Sequence, residues 1–319
     1  MEPCGIDLKS YLADPRTNAE AQRKIYQANP YLANISQDLL NQRYRELRRN
    51  ISTLVGPERD NGPVESVLSS WYWLRKLVHT EEEYSRRQVP APPFTLPFDA
   101  HLLQIKPPVS PPFPNKCNFL VRYGKASWLN DMLQSGRVRV KPAAQYADDG
   151  MNDARRDDEI NYHWFQNANR VRVSTPDGRR LYPVGDVRHT SSLSGGYYTL
   201  CTSSECDLTL FPAFDADACL IIHDVETFSK RLEAAFAPFI QSLLFVHVPV
   251  EYSDPYEWGP KSVHLPGVTK HFRYAYQKEY RFLWLPRISA PPLVEVEAFV
   301  GSMSGIARLY SFEELSIRR

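Results

Sequence analysis

The feature that most limits this chain is a stretch where prolines crowd together, VPAPPFTLPF and then KPPVSPPFP, within residues 88 to 115. Each proline fixes φ and removes a backbone donor, so neither a helix nor a central strand runs through such a segment. It reads as an extended, stiff connector whose Phe and Leu side chains pin it to a domain surface. A strap around one larger domain is the alternative reading. Either way the chain separates into 1–87, 88–115 and 116–319, and its 319 residues suit two domains better than one core.

The first flank reads as helical. Ser36 is placed to cap a helix through LLNQRYRELRRNISTLV, where Leu39, Leu40, Tyr44, Leu47 and Ile51 recur near helical spacing. A second helix is expected from Val64 to Tyr84, after a turn containing Gly56, Pro57, Gly62 and Pro63. Such an amphipathic pair must bury its apolar face against the rest of the chain, a second copy or a partner protein.

The second flank changes character. CNFLVRY, RVRV, YYTLCTS, CLIIHDV, LLFVHVPVEY, EYRFLWL and VEVEAFVGS read as strands. Helices are expected over Ser127–Ser135, stopped by Gly136, and over ETFSKRLEAAFAPFI. RVRVSTPDGRRLYPV reads as a hairpin turning at Asp177-Gly178. Strands outnumber helices and do not alternate with them. The fold class is therefore α+β, an N-terminal helical region followed by a mixed, largely antiparallel sheet, rather than a doubly wound nucleotide fold.

Composition removes several functions. The net charge of +1 gives no global field for nucleic acid or membrane. No apolar run approaches the ~20 residues of a membrane span. Five cysteines, Cys4, Cys117, Cys201, Cys206 and Cys219, with no C-x-x-C pair and no leader, point to a reducing, cytoplasmic setting and to buried thiols. Phosphate-binding glycine loops, a nucleophile elbow and zinc-spaced histidines are absent.

Three places carry candidate chemistry. Arg122 lies amid apolar strand residues, where its fork of donors needs an anion, a salt bridge or solvent. Tyr197 to Ser204 ends a strand in Cys201, Thr202 and Ser203, small polar side chains that brace a neighbouring group or cap the strand. Tyr198 offers a ring for stacking or for the core. In YAYQKEYRFLW, Gln277 and Glu279 share a face if the chain is extended. Glu279 then serves either a developing positive charge or a surface pair with Lys278 or Arg281.

Taken in order, Arg122, Thr202-Ser203 and Gln277-x-Glu279 resemble the arginine–serine–glutamate class of ADP-ribosyltransferases. The resemblance implies a split, mixed β-sheet that clamps NAD as substrate. Arg122 would clamp phosphate or ribose, with Tyr123 and Tyr198 beside the dinucleotide. Thr202 and Ser203 would brace the site, Gln277 would help select the acceptor, and Glu279 would be catalytic. Cys201 replaces the first serine of the brace. The ordered set from Phe119 to Trp284 also resembles an uncharacterised bacterial domain family. The transferase resemblance implies modification of a protein or a nucleic acid, as in a bacterial toxin or phage-defence effector. No metal is required.

Two rival readings stand beside it. DDGMNDARRDDE carries Asp148, Asp149, Asp153, Asp157, Asp158 and Glu159, carboxylates that suit a metal-dependent nuclease or solvated loop and cap roles. A non-enzymatic binding module would instead scatter Arg122, Thr202 and Glu279 over the surface, whereas a transferase gathers them into one cleft.

Overall fold

The computed structural model describes residues 18–54, 70–95, 119–147, 154, 158–193, 196–240, 243–257, 264–286 and 294–317. Two compact units emerge. One comprises Met1–Pro97, Trp164–His189 and Asp254–Lys261; the other comprises Phe98–His163, Thr190–Ser253 and Ser262–Arg319. The division is not linear along the chain, as an expected single domain over 116–319 would require. Two later segments join the N-terminal helices, and for the one that begins at Asp254 the reason is electrostatic, as the buried charges below show.

In the first unit, α1 spans Ala19–Ala28, α2 Gln37–Leu54 and α3 Ser70–Arg87. The Asn18 side chain caps α1 by accepting from the amides of Glu20 and Ala21. Ser36 caps α2 through the Leu39 amide, where the sequence places it. The expected start of α3 at Val64 and the preceding turn lie outside the described residues, and α3 runs on to Arg87. Leu40, Leu47, Trp73 and Leu77 are buried between these helices, so the apolar faces are covered within the unit. Arg43 donates through both Nη atoms to the Asp254 carboxylate at 2.7 Å, and Lys76 Nζ donates to the same carboxylate at 3.0 Å and to Glu257. The buried pairs of Asp254, with Glu257 at their margin, make 254–257 part of this unit. The unit also carries the two-stranded ladder of β4 (Val173–Ser174) and β5 (Arg180–Leu181), turning at Asp177-Gly178 as the sequence indicates.

The second unit is built on an eight-stranded antiparallel sheet. Its strands are β1 (Leu120–Gly124), β2 (Arg137–Pro142), β7 (Tyr198–Ser203), β8 (Ala218–Ile222), β9 (Leu243–Pro249), β12 (Glu279–Pro286), β13 (Val296–Phe299) and β14 (Ala307–Ser311). A short ladder joins β10 (Glu251–Ser253) in parallel to β11 (Thr269–His271), and another joins β3 (Asn161–Gln166) to β6 (Val187–Ser192), two strands whose residues are divided between the units. Helix α4 (Ala126–Ser135) joins β1 to β2, α5 (Val225–Phe236) follows β8, and α6 (Phe312–Ile317) follows β14. Strands β3, β6, β11 and β14 and helix α6 are additions to the sequence reading. LLFVHVPVEY is two strands, not one, because Val250 separates β9 from β10. Helix α5 stops at Phe236, short of the expected ETFSKRLEAAFAPFI; Ala237 keeps helical dihedrals and donates to the Glu233 carbonyl, and Pro238 after it has no amide hydrogen with which to continue the ladder.

The larger core lies on one face of the sheet, and a second cluster that includes Val121, Phe211, Cys219, Ile221 and Tyr310 covers part of the other. Leu220, Phe228, Leu232, Phe236 and Phe282 are fully buried in the larger core with Tyr198, Leu200 and Trp284. Each such side chain contributes about 1.5–3 kcal/mol. Gly136 makes the turn from α4 into β2 at φ +74°, and a Cβ there would meet the Gly301 carbonyl oxygen at 2.1 Å.

Strand β7 organises the rest. On one side it pairs with β12 along its whole length, from Tyr198↔Trp284 to Ser203↔Glu279. On the other side two strands share it. β1 reaches it at Val121↔Ser203, and β2 at Lys141↔Thr199 and Pro142↔Tyr198. Between these contacts Leu200, Cys201 and Thr202 have no ladder partner on that side, so the sheet splits there.

Candidate functional site

The split opens into a cleft of about 520 Å³ in the second unit, a volume suited to a small ligand. Its walls come from β1, α4 and β2, and its floor from β7 and the start of β12. Arg122, Tyr123, Thr202, Ser203, Gln277 and Glu279 all line it, together with Cys201. Six of the seven residues singled out in the sequence therefore converge, where a scaffold with no site would disperse them. Tyr198 does not. Strand alternation turns it to the core face, and its hydroxyl donates to the Val294 carbonyl at 2.7 Å.

Arg122 performs a local task as well as facing the cleft. Its Nη1 donates to the Cys201 carbonyl at 2.9 Å, the carbonyl that sits at the split. The Tyr123 hydroxyl is used by the loop after β7, donating to the Asp207 carbonyl at 3.1 Å and accepting from the Asp207 amide at 2.7 Å. Its ring packs on Phe211 and Phe214. Thr202 Oγ1 donates to the Tyr280 carbonyl and Ser203 Oγ to the Gln277 carbonyl. These hydroxyls tie β7 to the chain that carries Gln277 and Glu279, which is a bracing role.

Gln277 and Glu279 do not share the face of one extended strand, as the sequence pattern suggests. Gln277 ends a 3₁₀ segment, Phe272–Gln277, and Lys278 adopts the left-handed conformation at φ 45° before β12 begins at Glu279. The reversal brings both side chains to Lys270. Its Nζ donates to Gln277 Oε1 at 3.2 Å and to Glu279 Oε2 at 3.0 Å. Gln277 Nε2 donates in turn to the Ala154 carbonyl at 2.7 Å. Lys278 is not the partner of Glu279; it pairs with Glu205 at 2.6 Å.

Glu279 lies in a buried group of four charges. Arg281, which is 0% exposed, donates from Nε to Glu279 at 3.1 Å and contacts Glu159 at 2.7 Å through Nη1. Lys270 completes the group, 3.7 Å from Glu159. Burial alone would push the Glu279 carboxyl up, but Arg281 and Lys270 outweigh it and hold it at about 2. It is thus a fixed anion at neutral pH. Cys201, on the same face, has its thiol pushed up to about 12 by burial and is not a thiolate nucleophile. Burial also raises Tyr146, which lines the cleft, so its phenol stays protonated.

The sequence reading missed Lys270 and Tyr146. A lone lysine in a three-residue strand gives no periodic signal. Glu159 was visible only as one acid in a charged run, and Arg281 only as a surface partner. In that run Asp148, Asp149, Asp153 and Asp157 lie outside the described residues. Among the described ones Asp158 accepts from the Ile160 and Asn161 amides, and Glu159 is held by Arg281. No group of three or more His, Cys, Asp or Glu among the described residues is arranged to hold a metal ion. Cys201, Cys206 and Cys219 are free, the latter two buried as expected. No helix among the described residues is long and apolar enough to cross a membrane. No family model matches the chain, and no curated protein or solved structure matches it either.

Proposed function

We propose that the chain cleaves the nicotinamide–ribose bond of NAD and transfers ADP-ribose to a macromolecule. The observation that carries this reading is the meeting, in one cleft at a split in an antiparallel sheet, of Arg122 from β1 and an ionised Glu279 from β12. The split and the order of these residues also fit the ADP-ribosyltransferase resemblance.

In the reaction the C1′–N bond breaks and its electron pair leaves with nicotinamide. Positive charge grows on the ribose, as in glycoside hydrolysis. A carboxylate fixed by Arg281 and Lys270 opposes that charge without having to reorganise, so it favours the transition state over the ground state. Arg122 presents a planar fork for the pyrophosphate and limits the orientation of the sugar. Gln277, fixed by Lys270 and the Ala154 carbonyl, stands beside the carboxylate where an acceptor would be oriented. The acceptor's lone pair then forms the new bond to C1′ and its proton passes to solvent.

The test is nicotinamide release by the purified chain, wild type beside Glu279→Gln, with RNA, DNA and lysate protein added in turn. The glutamine variant is expected to lose about 10²–10³-fold in rate, the scale set by deleting one preorganised electrostatic contact. Equal rates in both proteins, or no NAD loss by folded wild type under any condition, would overturn the reading.

A further inference from the structure

The first unit carries a second feature that the cleft does not explain. Between residues 170 and 188 lie Arg170, Arg172, Arg179, Arg180 and Arg188, with no lysine and only Asp177 and Asp186 as acids. All five arginines are exposed. Both acids are engaged locally. Asp177 is hydrogen-bonded by Thr175 and backbone amides of its own turn, and Asp186 accepts from Asn34 Nδ2 at 2.9 Å. The excess positive charge is local, since the whole chain carries only +1.

Aromatic surface accompanies the charge. Tyr182 is 74% exposed, and the Arg180 guanidinium lies over its ring, 5.0 Å from the centroid. Strands β4 and β5 are two residues each, too short to need five arginines for their own stability. Exposed guanidinium groups attract phosphates bidentately and stack on planar rings, which lysine does not do. A free tyrosine face gives an unpaired base a stacking surface.

We infer that the β4–β5 hairpin binds single-stranded nucleic acid. Unpaired bases, unlike duplex, expose the faces that Tyr182 can stack on, and a phosphate backbone supplies the anions that the arginines lack. The binding itself does not depend on NAD. Only its meaning as acceptor capture rests on the transferase reading.

The experiment is fluorescence anisotropy with the full chain and no NAD. The probes are labelled 20-nucleotide RNA and DNA strands of mixed sequence and a 20-base-pair duplex, across roughly 50–200 mM salt. Wild type is expected to bind one or both single strands more tightly than the duplex, and the RNA and DNA arms identify the sugar. In the triple variant Arg172→Gln, Arg179→Gln, Arg180→Gln the salt slope should flatten by about 2, at ~0.7 per lost phosphate contact. Tyr182→Ala should weaken single-strand binding by about 5–100-fold and leave duplex binding unchanged. Since all four side chains are exposed, circular dichroism should show both variants folded. No binding by wild type at low salt, variants that bind as wild type does, or tighter binding to an acidic peptide or to anionic vesicles would overturn the inference. NAD consumption without nucleic acid binding would overturn this inference and leave the transferase reading standing. Binding without NAD consumption would do the reverse.

Discussion

The first unit buries Arg43, Lys76 and Asp254, with Glu257 at their margin, and the second buries Arg281, Lys270, Glu159 and Glu279 together. Each group sets lysine and arginine side chains against two carboxylates, and the Asp254, Glu257 and Glu279 carboxyls are held below their usual range by the cations beside them, against the opposing effect of burial. Perturbed ionisation therefore fails to separate them, although it is often taken as a mark of function. What differs is where the carboxylate faces. Asp254 is 1% exposed, and its oxygens are taken by both Nη atoms of Arg43, by Lys76 and by the Tyr256 amide. Glu279 is held as firmly but lines a ligand-sized cleft. Pairing makes a charge tolerable inside a protein; adjacency to open space makes it available for chemistry.

The comparison breaks most visibly on stability. Asp254→Ala leaves Arg43 without its carboxylate and Lys76 with Glu257 as its remaining acid. Removing one partner of a buried pair costs roughly 3–5 kcal/mol. The loss should show as faster amide hydrogen exchange in α2 and α3. A cost below about 1 kcal/mol would mean that the first group is a weakly coupled surface feature. The same kind of change in the second group, Glu279→Gln, should act chiefly on catalysis, by the 10²–10³-fold already given. Glutamine keeps the shape and one acceptor, so its stability cost is expected near 1–3 kcal/mol by urea unfolding. Were Glu279→Gln to cost as much stability as Asp254→Ala while nicotinamide release stayed unchanged, the two groups would be alike and both structural.

How legible these groups were depends on how local their signals are. Ser36, Gly136 and the Asp177-Gly178 turn each act through their own backbone, so their positions follow from the sequence. The face of Tyr198 was also within reach. Strict alternation sets it opposite Cys201 and Ser203, and only treating the strand's residues as one patch placed it beside a ligand. Gln277 and Glu279 misled in the other direction, because the left-handed Lys278 cannot be read from a run that resembles strand. The ion groups were invisible for a different reason. Arg43 meets Asp254, and Glu159 meets Arg281, across long stretches of chain, and a charged residue in an amphipathic segment looks solvated until its partner is in place. The convergence of Arg122 with Glu279 follows from the order of the motifs, but Lys270, which orients Glu279 and Gln277, carries no signal at all.

Acid sharpens the contrast more gently. His79 in α3 is 5% exposed, with Nε2 3.0 Å from Gln22 Oε1 and Nδ1 3.2 Å from the Tyr31 hydroxyl. A neutral ring satisfies both neighbours, donating to the amide oxygen and accepting from the phenol. Burial holds its pKa down at about 4 against the weaker attraction of Glu257. The folded form thus binds a proton less readily than the unfolded chain, where histidine titrates near 6.5. Its contribution is intact above that value and is lost as pH falls toward 4, amounting to about 2 kcal/mol at pH 5. Glu279 works in a lower window. Its contribution is complete above about 4.5, the ordinary glutamate value, and is lost as pH falls through 2. Between pH 7 and 5 the first unit should therefore weaken through His79 while the charges around Glu279 stay as they are. Hydrogen exchange of α1 and α3 at the two pH values, corrected for intrinsic rates, should show the loss in wild type and a smaller one in His79→Gln. Identical acid sensitivity in the two proteins would place the proton elsewhere and remove His79 from the account.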